Sequence, residues 1–327
     1  MAKRKRITAQ MVADRAGVSR SAVSRAFTKG SYLEESKRQK ILEIATEIGY
    51  QPNALAAGLQ GGRSRLVAVI EGDVRNAHDT AVISQLCSAL NANGFWPILV
   101  SVTRMNGGAD ALAFPLDALI VRGGSMSEDL VHRCAKLGVP MICYGRPTEE
   151  LNIDSAYCKN RTGMELAAEL LVSKGRRAFG YVGGPDQFYS SMQRRKGVLN
   201  VLERANLSLE AEVVSDFSVD GGFAAARSLL MANTHLDALI CANDAMAIGA
   251  LGAAHTLGIA VPDRLSVVGF DDADMADWQI TQLTTVRNPL ETTVQEILKL
   301  LVDRIDNPDR ECRTIRVEPQ LILRGTH

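Results

Sequence analysis

The first 65 residues show the spacing of short amphipathic helices. Apolar residues recur every three or four positions between Ala9 and Ala16, with Thr8 placed to cap such a helix and Gly17 to end it. A further helix is predicted from about Ser36 to Ile48, ending at Gly49. The pattern is typical of a small helical domain whose apolar faces pack together.

Between these two helices, Ser19 is placed to cap a helix with two contrasting faces. Its apolar face consists of Ala22, Val23, Ala26 and Phe27. Its polar face consists of Arg20, Ser21, Ser24 and Arg25. Arginine can pair bidentately with guanine, and serine can donate to bases or phosphates, so this face suits DNA. The alternative is the solvated face of an ordinary helical bundle.

After Pro52, the segment from Asn53 to Gln60 can form a capped helix, but it is too short to be stable alone, and Gly58 weakens it. We expect it to order only on binding.

From Leu66 the pattern changes to short apolar runs that alternate with amphipathic stretches. The runs predict strands at Leu66–Ile70, Pro97–Val102, Ala118–Val121, Pro140–Tyr144, Phe179–Val182, Glu212–Ser215, Ala238–Cys241, Ser266–Phe270 and Ile315–Leu321. The stretches predict helices near 79–93, 127–137, 161–174, 192–205, 221–233, 244–257 and 291–304.

Apolar strands that alternate with helices indicate parallel sheets covered on both faces, in an α/β architecture. Such sheets bind ligands beyond the carboxyl ends of their strands. The polar and aromatic residues that follow the predicted strands are Glu71, Asp73, Arg122, Arg146, Asp186 to Ser191, Phe217, Asn243, Asp244, Asp271 and Asp272. This mixture of acids, arginines, an amide and an aromatic residue suits a small polyhydroxylated or charged ligand.

The formal net charge is zero, but it is unevenly distributed. Residues 1–65 contain 13 Lys and Arg against five Asp and Glu, a net charge of +8, so the remainder carries −8. A basic head on an acidic body favours the DNA interpretation. No apolar span approaches membrane length, and we expect neither a signal peptide nor a transmembrane segment, but a cytoplasmic protein. The six cysteines lack metal-ligand spacing and are expected to be buried thiols.

The head contains residues that point to a known family. The run from Ala13 to Ser19, the run Ala22-Val23-Ser24-Arg25 and the segment from Ile48 to Ala54 with Leu59 closely resemble the head and hinge of the LacI/GalR (lactose-repressor) family. The resemblance implies that the second helix enters the major groove, while two hinge helices of a dimer enter the minor groove, where a leucine wedges open a base step. The DNA-binding residues it implies are Thr8, Ser19, Arg20, Ser21, Ser24, Arg25, Thr28, Tyr32, Asn53, Ala56 and Leu59.

The resemblance extends through most of the remaining chain. Its motifs include Gly180-Tyr-Val-Gly-Gly-Pro185, Asn243-Asp244-Ala-Met-Ala and Gly269-Phe-Asp-Asp272. They imply a periplasmic-binding-protein-like sensor, with the effector between two lobes joined by three crossovers. Arg194, Asn243 and Asp271 would then hold the polar groups of the effector, and Phe217 would stack on it. Further candidates are Glu71, Asp73, Arg146, Ser190, Phe188 and Trp278.

Several departures from the family pattern concern the effector. Tyr144-Gly145-Arg146 stands where an aspartate is usual, although Glu71 and Asp73 partly reverse the added positive charge. Cys158-Lys159 stands where Asp-Asn is common, and Arg176 replaces a histidine. An acidic sugar or another anionic metabolite is therefore one option, and a neutral sugar is the other. The segment 103–115 is also shorter than usual, which places the second helix of that lobe in doubt.

Enzyme signatures are missing from the sequence. Gly183-Gly184-Pro185 lacks the Lys-Ser/Thr of a P-loop, there is no Gly-x-Ser-x-Gly or His-Glu-x-x-His motif, and the five histidines form no cluster. We therefore predict no catalytic residues, no cofactor and no metal site.

The predicted fold class is an all-α helix-turn-helix head with a hinge helix, joined to an α/β periplasmic-binding-protein-like sensor of two doubly wound parallel-sheet lobes. The expected divisions are a head at 1–52, a hinge at 53–64, and a sensor at 65–327, with an N-lobe of about 65–160 and 288–317 and a C-lobe of about 161–287 and 318–327. The predicted function is a repressor that binds a palindromic operator as a homodimer or tetramer and is released by a small carbohydrate-like effector. The alternative is a sugar-binding protein of the same fold without a DNA role.

Overall fold

The computed structural model describes residues 7–28, 30–51, 63–102 and 109–327. Its internal contacts divide the chain into two units, Met1–Ser64 and Arg65–His327. The predicted hinge residues Asn53, Ala56 and Leu59 lie outside the described residues.

The first unit contains three helices, α1 (Ala9–Ala16), α2 (Arg20–Phe27) and α3 (Glu35–Ile48). The side chains of Thr8 and Ser19 cap α1 and α2 by accepting hydrogen bonds from backbone N–H groups, as the sequence predicts. Glu34 precedes α3 without such a bond. The apolar faces of the three helices meet in one small core, which consists of Val12, Ala13, Ala16, Ala22, Val23, Ala26, Ile41 and Ala45.

The second unit contains two sheets of six strands, each the centre of one lobe. The N-lobe sheet is parallel, with the order β11-β5-β4-β3-β1-β2. Its strands are β1 (Leu66–Glu71), β2 (Trp96–Ser101), β3 (Ala118–Arg122), β4 (Met141–Tyr144), β5 (Asp154–Cys158) and β11 (Thr314–Val317). Its helices are α4 (Ala77–Ala92), α5 (Glu128–Leu137) and α10 (Leu290–Asp306). The helices α4 and α10 cover one face, and α5 covers the other.

The C-lobe sheet has the order β12-β10-β9-β8-β6-β7, and only β12 pairs antiparallel to its neighbour. Its strands are β6 (Phe179–Gly183), β7 (Leu209–Val214), β8 (Ala238–Cys241), β9 (Ser266–Asp271), β10 (Thr284–Arg287) and β12 (Gln320–Ile322). Its helices are α6 (Asn160–Ser173), α7 (Tyr189–Arg204), α8 (Val219–Ala232) and α9 (Asp244–Thr256). Central strands such as β6, β8 and β9 are buried along their whole length, which explains their unbroken apolar runs.

The chain passes between the lobes three times, from β5 to α6, from β10 to α10 and from β11 to β12. The carboxyl ends of the central strands of both sheets therefore lie around one cleft. Short 3-10 helices occur at Ala109–Ala113, Gly123–Ser125, Glu149–Leu151 and Asp274–Asp277. The first of these is the only regular element among the described residues of the short segment 103–115.

The structure corrects three strand predictions. Ile315–Leu321 is not one strand, because the chain leaves the N-lobe after β11 and enters the C-lobe sheet at β12. The strands β5 and β10 were not predicted, since Asp-Ser-Ala-Tyr-Cys begins with two polar residues and Thr-Thr-Val-Arg contains a single apolar residue. The strand β5 is nevertheless buried throughout, β10 is buried except for Arg287, and polar side chains of both make specific contacts.

Other expectations concern single residues and the membrane. Cys134, Cys143, Cys158 and Cys241 are buried, whereas Cys87 and Cys312 are partly exposed, which corrects the expectation that all six are buried. Burial raises the pKa of the Cys134 thiol to about 11, as expected of an unreactive thiol.

No helix among the described residues is long and apolar enough to cross a membrane. The same part of the chain contains no cluster of His, Cys, Asp and Glu suited to a metal ion.

Candidate functional site: a basic helix face and an interlobe cleft

The exposed face of α2 consists of Arg20, Ser21, Ser24 and Arg25. Neither arginine forms an ion pair with a described carboxylate. Within the described part of the chain, Arg25 donates a single long hydrogen bond, from Nε to the Ser21 carbonyl at 3.4 Å. The two guanidinium groups are therefore available to a polyanion, and they lie on the side of the helix opposite to its buried residues.

The carboxyl end of α2 is held by α3. Arg38 donates to the carbonyls of Ala26 and Ser31, each at 2.7 Å. Thr28 donates to the Ser24 carbonyl at 3.0 Å, which leaves its side chain at the end of the helix. Tyr32 is 91% exposed and contributes almost nothing to the core. The contacts of Arg38 hold the carboxyl end of α2 against α3, so the polar face of α2 has a fixed position on the head.

The second unit has a cavity of about 300 Å³ between its two lobes. Seven of the predicted effector residues line this cavity, at strand ends or at the start of α7 and along it. They are Arg146, Phe188, Ser190, Arg194, Phe217, Asn243 and Asp271. Both lobes therefore contribute to one polar cleft.

Arg194 lies at the base of the cleft and is 5% exposed. Its guanidinium donates to the Asn160 Oδ1 at 2.8 Å, the Ala242 carbonyl at 2.6 Å and the Asp271 Oδ1 at 3.1 Å. Its Cζ also lies 3.8 Å from the centroid of the Phe270 ring. These contacts fix the plane of the guanidinium, and its remaining N–H groups can donate to a ligand.

Asp271 connects the two lobes at this point. It ends β9, and its Oδ1 lies 3.4 Å from the Asn288 Nδ2 and 4.0 Å from the His78 Nδ1 on α4 of the N-lobe. Its φ is 120°, a backbone conformation that is strained for a residue with a side chain. Just beneath it, burial and the Asp271 charge raise the pKa of Asp244 well above its usual value. The backbone thus adopts an unfavourable φ at Asp271, and this conformation directs the Asp271 carboxylate towards the cleft.

Asn243 and Phe217 form the next part of the wall. The Asn243 Oδ1 caps α9 by accepting from the Met246 N–H at 3.0 Å, and its Nδ2 donates to the Phe217 carbonyl at 3.2 Å. Phe217 has a φ of 67° and packs edge-on against Phe188 with the ring centroids 5.8 Å apart. A Cβ on Gly184 would lie 2.1 Å from the Phe217 ring, so only glycine fits there. Phe217 is 9% exposed, so it is packed in place rather than free to turn.

Arg122 lies at the end of β3 on the N-lobe side. It forms an ion pair with the Asp79 Oδ1 at 2.7 Å and lies 3.8 Å from the Glu71 Oε2. Glu71 is 2% exposed, and its Oε1 has no hydrogen-bond partner among the described residues. Burial raises its pKa to about 7, although Arg122 opposes the shift. Arg122 is therefore charge-balanced by its own lobe.

Three predicted effector residues, Glu71, Asp73 and Trp278, lie outside the lining of the cavity. Glu71 lies beneath Arg122 and does not reach the cavity surface. Asp73 turns outward and forms an ion pair with Arg75 at 2.8 Å. Trp278 follows the 3-10 helix Asp274–Asp277 and is 54% exposed. A position near a strand end does not determine which way a side chain points.

The structure also adds cleft residues that were not selected from the sequence. Asn160 and Asn288 follow the unpredicted strands β5 and β10, so the strand-end rule could have found them only if those strands had been predicted. His78 and Asp79 come from the first turn of α4, which begins two residues before the predicted start. Arg122 was at a predicted strand end but was not assigned to the effector site.

Comparisons with known proteins agree with this geometry. Residues 8–53 match the family model for bacterial regulatory proteins of the lacI family, and residues 168–327 match that for a periplasmic binding protein-like domain. The chain therefore carries a DNA-binding domain of the LacI family, followed by a periplasmic-binding-protein-like domain. It is a DNA-binding transcriptional regulator and not an enzyme. The predicted fold class, a helix-turn-helix head with two α/β lobes, is confirmed.

Relatives match the chain over nearly its full length. It is 25% identical over 326 residues to the probable HTH-type transcriptional repressor ExuR of Bacillus subtilis, covering 98% of each chain. A crystal structure of the Lac repressor dimer bound to operator and the anti-inducer ONPF is 25% identical, with a TM-score of 0.87 and coverage of 98% of this chain and 99% of that one. A structure of a complex of the transcriptional regulator CelR with cellobiose is 26% identical, with a TM-score of 0.74 and coverage of 98% and 100%.

Proposed function

We propose that this LacI-family regulator is a cytoplasmic, dimeric repressor that binds a palindromic operator and is released by a small polar effector in the interlobe cleft. The observation that carries the effector part is the buried network of Arg194, Asn160 and Asp271. Such a network leaves fixed donors and acceptors at the base of a cavity, as a site for a polyhydroxylated ligand requires.

Several further residues complete the proposed effector site. Asn243 and Asp271 would bind hydroxyl groups, Phe217 would cover an apolar ring face, and Ser190 and Arg146 would contact the parts of the ligand nearer the N-lobe. The Lac repressor and CelR structures hold ONPF and cellobiose, respectively. These relatives support a carbohydrate-like effector for this chain.

For DNA, the proposed contacts are made by the polar face of α2 together with the caps of the head helices and the hinge. The proposed residues are Thr8, Ser19, Arg20, Ser21, Ser24, Arg25, Thr28, Tyr32, Asn53, Ala56 and Leu59. A symmetric dimer would place two such heads on the two halves of a palindrome. By linkage, an effector that weakens operator binding by a given factor must itself bind the operator complex more weakly by the same factor.

The proposal is tested by selecting bound sequences from a random duplex pool, with and without a panel of sugars and sugar acids. A palindrome that is enriched without ligand and lost with one panel member is the expected result. Enrichment only in the presence of a ligand would instead mean corepression. No enriched palindrome under any condition would contradict the operator-binding role. Affinity for the selected operator should also fall steeply with salt, because several phosphates are contacted.

Arg25→Ala is expected to weaken binding to the selected operator by about 1–3 kcal/mol and to relax the preference at one base position, because a base-reading guanidinium is lost. The measurement is the affinity for the operator and for its single-base variants. The control is Lys37→Ala on α3, where Lys37 is already ion-paired with Glu34 at 2.9 Å. An equal loss on operator and random duplex would rule out base reading by Arg25.

A further inference from the structure

Three arginines line the interlobe cleft, and they differ in charge compensation. Arg122 is paired with Asp79 at 2.7 Å, and Arg194 is paired with Asp271 at 3.1 Å. Arg146 lies within 4.0 Å of no described carboxylate oxygen. Its single side-chain hydrogen bond to a described residue runs from Nε to the Pro147 carbonyl, at 3.4 Å. Arg146 thus brings to the cavity a positive charge that no described carboxylate compensates, together with guanidinium N–H groups that can donate to a ligand.

The backbone holds Arg146 in this position. It follows β4 after Gly145, whose φ of 85° turns the chain at the strand end. Its aliphatic stem packs on Gly123, where an added Cβ would lie 2.2 Å from the Arg146 Cγ. Gly123 is itself buried at the end of β3. The stem is therefore confined between two strand ends, and the cavity is the space open to the guanidinium.

We propose that the effector carries an anionic oxygen group, a carboxylate or a phosphate, that binds the Arg146 guanidinium. This inference rests on the proposed effector role of the cleft. The ligand class is a sugar acid or a sugar phosphate. Its ring packs near Phe217 and Phe188, its hydroxyl groups bind Arg194, Asn243 and Asp271, and its anionic group lies on the N-lobe side.

The physical reason is the cost of enclosing an unpaired charge. A neutral sugar in this cleft would strip water from Arg146 without replacing it by a counter-charge. The carboxylates that could compensate are engaged elsewhere, since Asp79 is bound to Arg122 and Asp271 to Arg194. Glu150, the remaining acid in the lining, is exposed and too distant for an ion pair with Arg146. A ligand oxyanion can accept two parallel hydrogen bonds from the planar guanidinium, and its negative charge compensates the positive charge of Arg146.

The test uses matched sets of hexoses and pentoses, each as the neutral sugar, the uronic or aldonic acid and the phosphate ester. Binding to the full-length protein is measured by calorimetry, and release of the selected operator by fluorescence anisotropy, at constant ionic strength. We expect at least one acid or phosphate to bind and release the operator at concentrations where its neutral counterpart does neither. The carboxylate and phosphate arms identify which oxyanion the cleft accepts.

The matched variants are Arg146→Gln and Arg133→Gln. Arg133 lies on α5 of the same lobe, is exposed and pairs with Asp129 at 3.0 Å, so its loss removes the same charge away from the cleft. Arg146→Gln should weaken the acidic ligand about 10- to 100-fold, the loss expected for a hydrogen-bonded charge pair, whereas Arg133→Gln should not. Arg146→Lys should recover part of the loss because it keeps the charge without the fork.

Two outcomes would overturn the inference. One is a neutral sugar that binds the protein and releases it from the operator as well as the corresponding acid does. The protein would then still be a repressor released by an effector, but the effector would need no anionic group. The other is an equal affinity of the wild type and Arg146→Gln for the acid. Failure of the proposed function looks different, because then no ligand of either kind would alter operator binding.

Discussion

Arg194→Ala is expected to abolish the response to effector, with a loss of about 2–5 kcal/mol in ligand binding. The reason is the number of groups that depend on one guanidinium. The change removes the Arg194 donor from the Asn160 Oδ1 and the Ala242 carbonyl, and it leaves the Asp271 Oδ1 with only the long hydrogen bond from the Asn288 Nδ2 at 3.4 Å, all in a buried site. Operator release by the effector identified above, followed by fluorescence anisotropy, is the measurement. Binding to the operator without ligand should persist, because the head is a separate unit.

The control for this experiment is Arg194→Lys, which keeps the charge but cannot reach three acceptors in different directions. It should bind ligand better than Arg194→Ala and worse than the wild type. Urea unfolding of both variants separates a loss of binding from a loss of fold, since removing one partner of a buried ion pair also costs stability. An Arg194→Ala protein that is folded and still released by the effector would place the site elsewhere in the molecule.

The strand-end rule found much of the cleft because parallel sheets expose their carboxyl ends at one edge. Arg146, Phe217, Asn243 and Asp271 were selected in this way and line the cavity. The rule depends on the strands being recognised, and the sequences of β5 and β10 are too polar for a pattern of apolar residues to reveal them. Both strands are buried because their neighbours in the sheet are, which is a property of the fold and not of the segment.

Side-chain direction and charge pairing could not be predicted at all. Glu71 ends β1 and Arg146 follows β4, yet Glu71 is turned beneath the cavity surface and Arg146 lines it. The sequence predicts that Glu71 and Asp73 partly offset Arg146. In the structure, Glu71 lies beside Arg122 and Asp73 is paired with Arg75. Net charge along the chain therefore gave no information on the charge that a ligand would meet.

A second buried ionic cluster holds the end of α10 and the loop before the third crossover against the N-lobe sheet. Asp154 begins β5 and is completely buried. It accepts from the Arg304 Nε at 2.7 Å, from both terminal nitrogens of Arg310 at 2.8 Å and 3.1 Å, and from the Arg313 N–H at 2.8 Å. The strand β11 begins directly after Arg313, so this carboxylate fixes the chain as it starts back towards the C-lobe.

Asp154→Asn is expected to lower the free energy of unfolding by about 3–5 kcal/mol, because it leaves the nearly buried Arg304 without its counter-charge and Arg310 with Asp303 alone. Urea unfolding at neutral pH measures the loss. The control is Asp129→Asn, which removes an exposed carboxylate paired with Arg133 and should cost about 1 kcal/mol or less. Similar losses in the two variants would show that the buried cluster contributes no more than a surface ion pair.

The pH dependence of the same comparison tests its electrostatic origin. Burial alone would raise the pKa of Asp154, but the hydrogen bonds from Arg304, Arg310 and the Arg313 N–H lower it below its usual value. A carboxyl group with a depressed pKa in the folded state contributes its full stability above its unfolded pKa of about 3.9 and loses it as the pH falls through the folded pKa. The difference between wild type and Asp154→Asn should therefore be constant from neutral pH down to about pH 5 and shrink below about pH 4. A difference that stays unchanged through this acid range would mean that Asp154 acts through packing rather than charge.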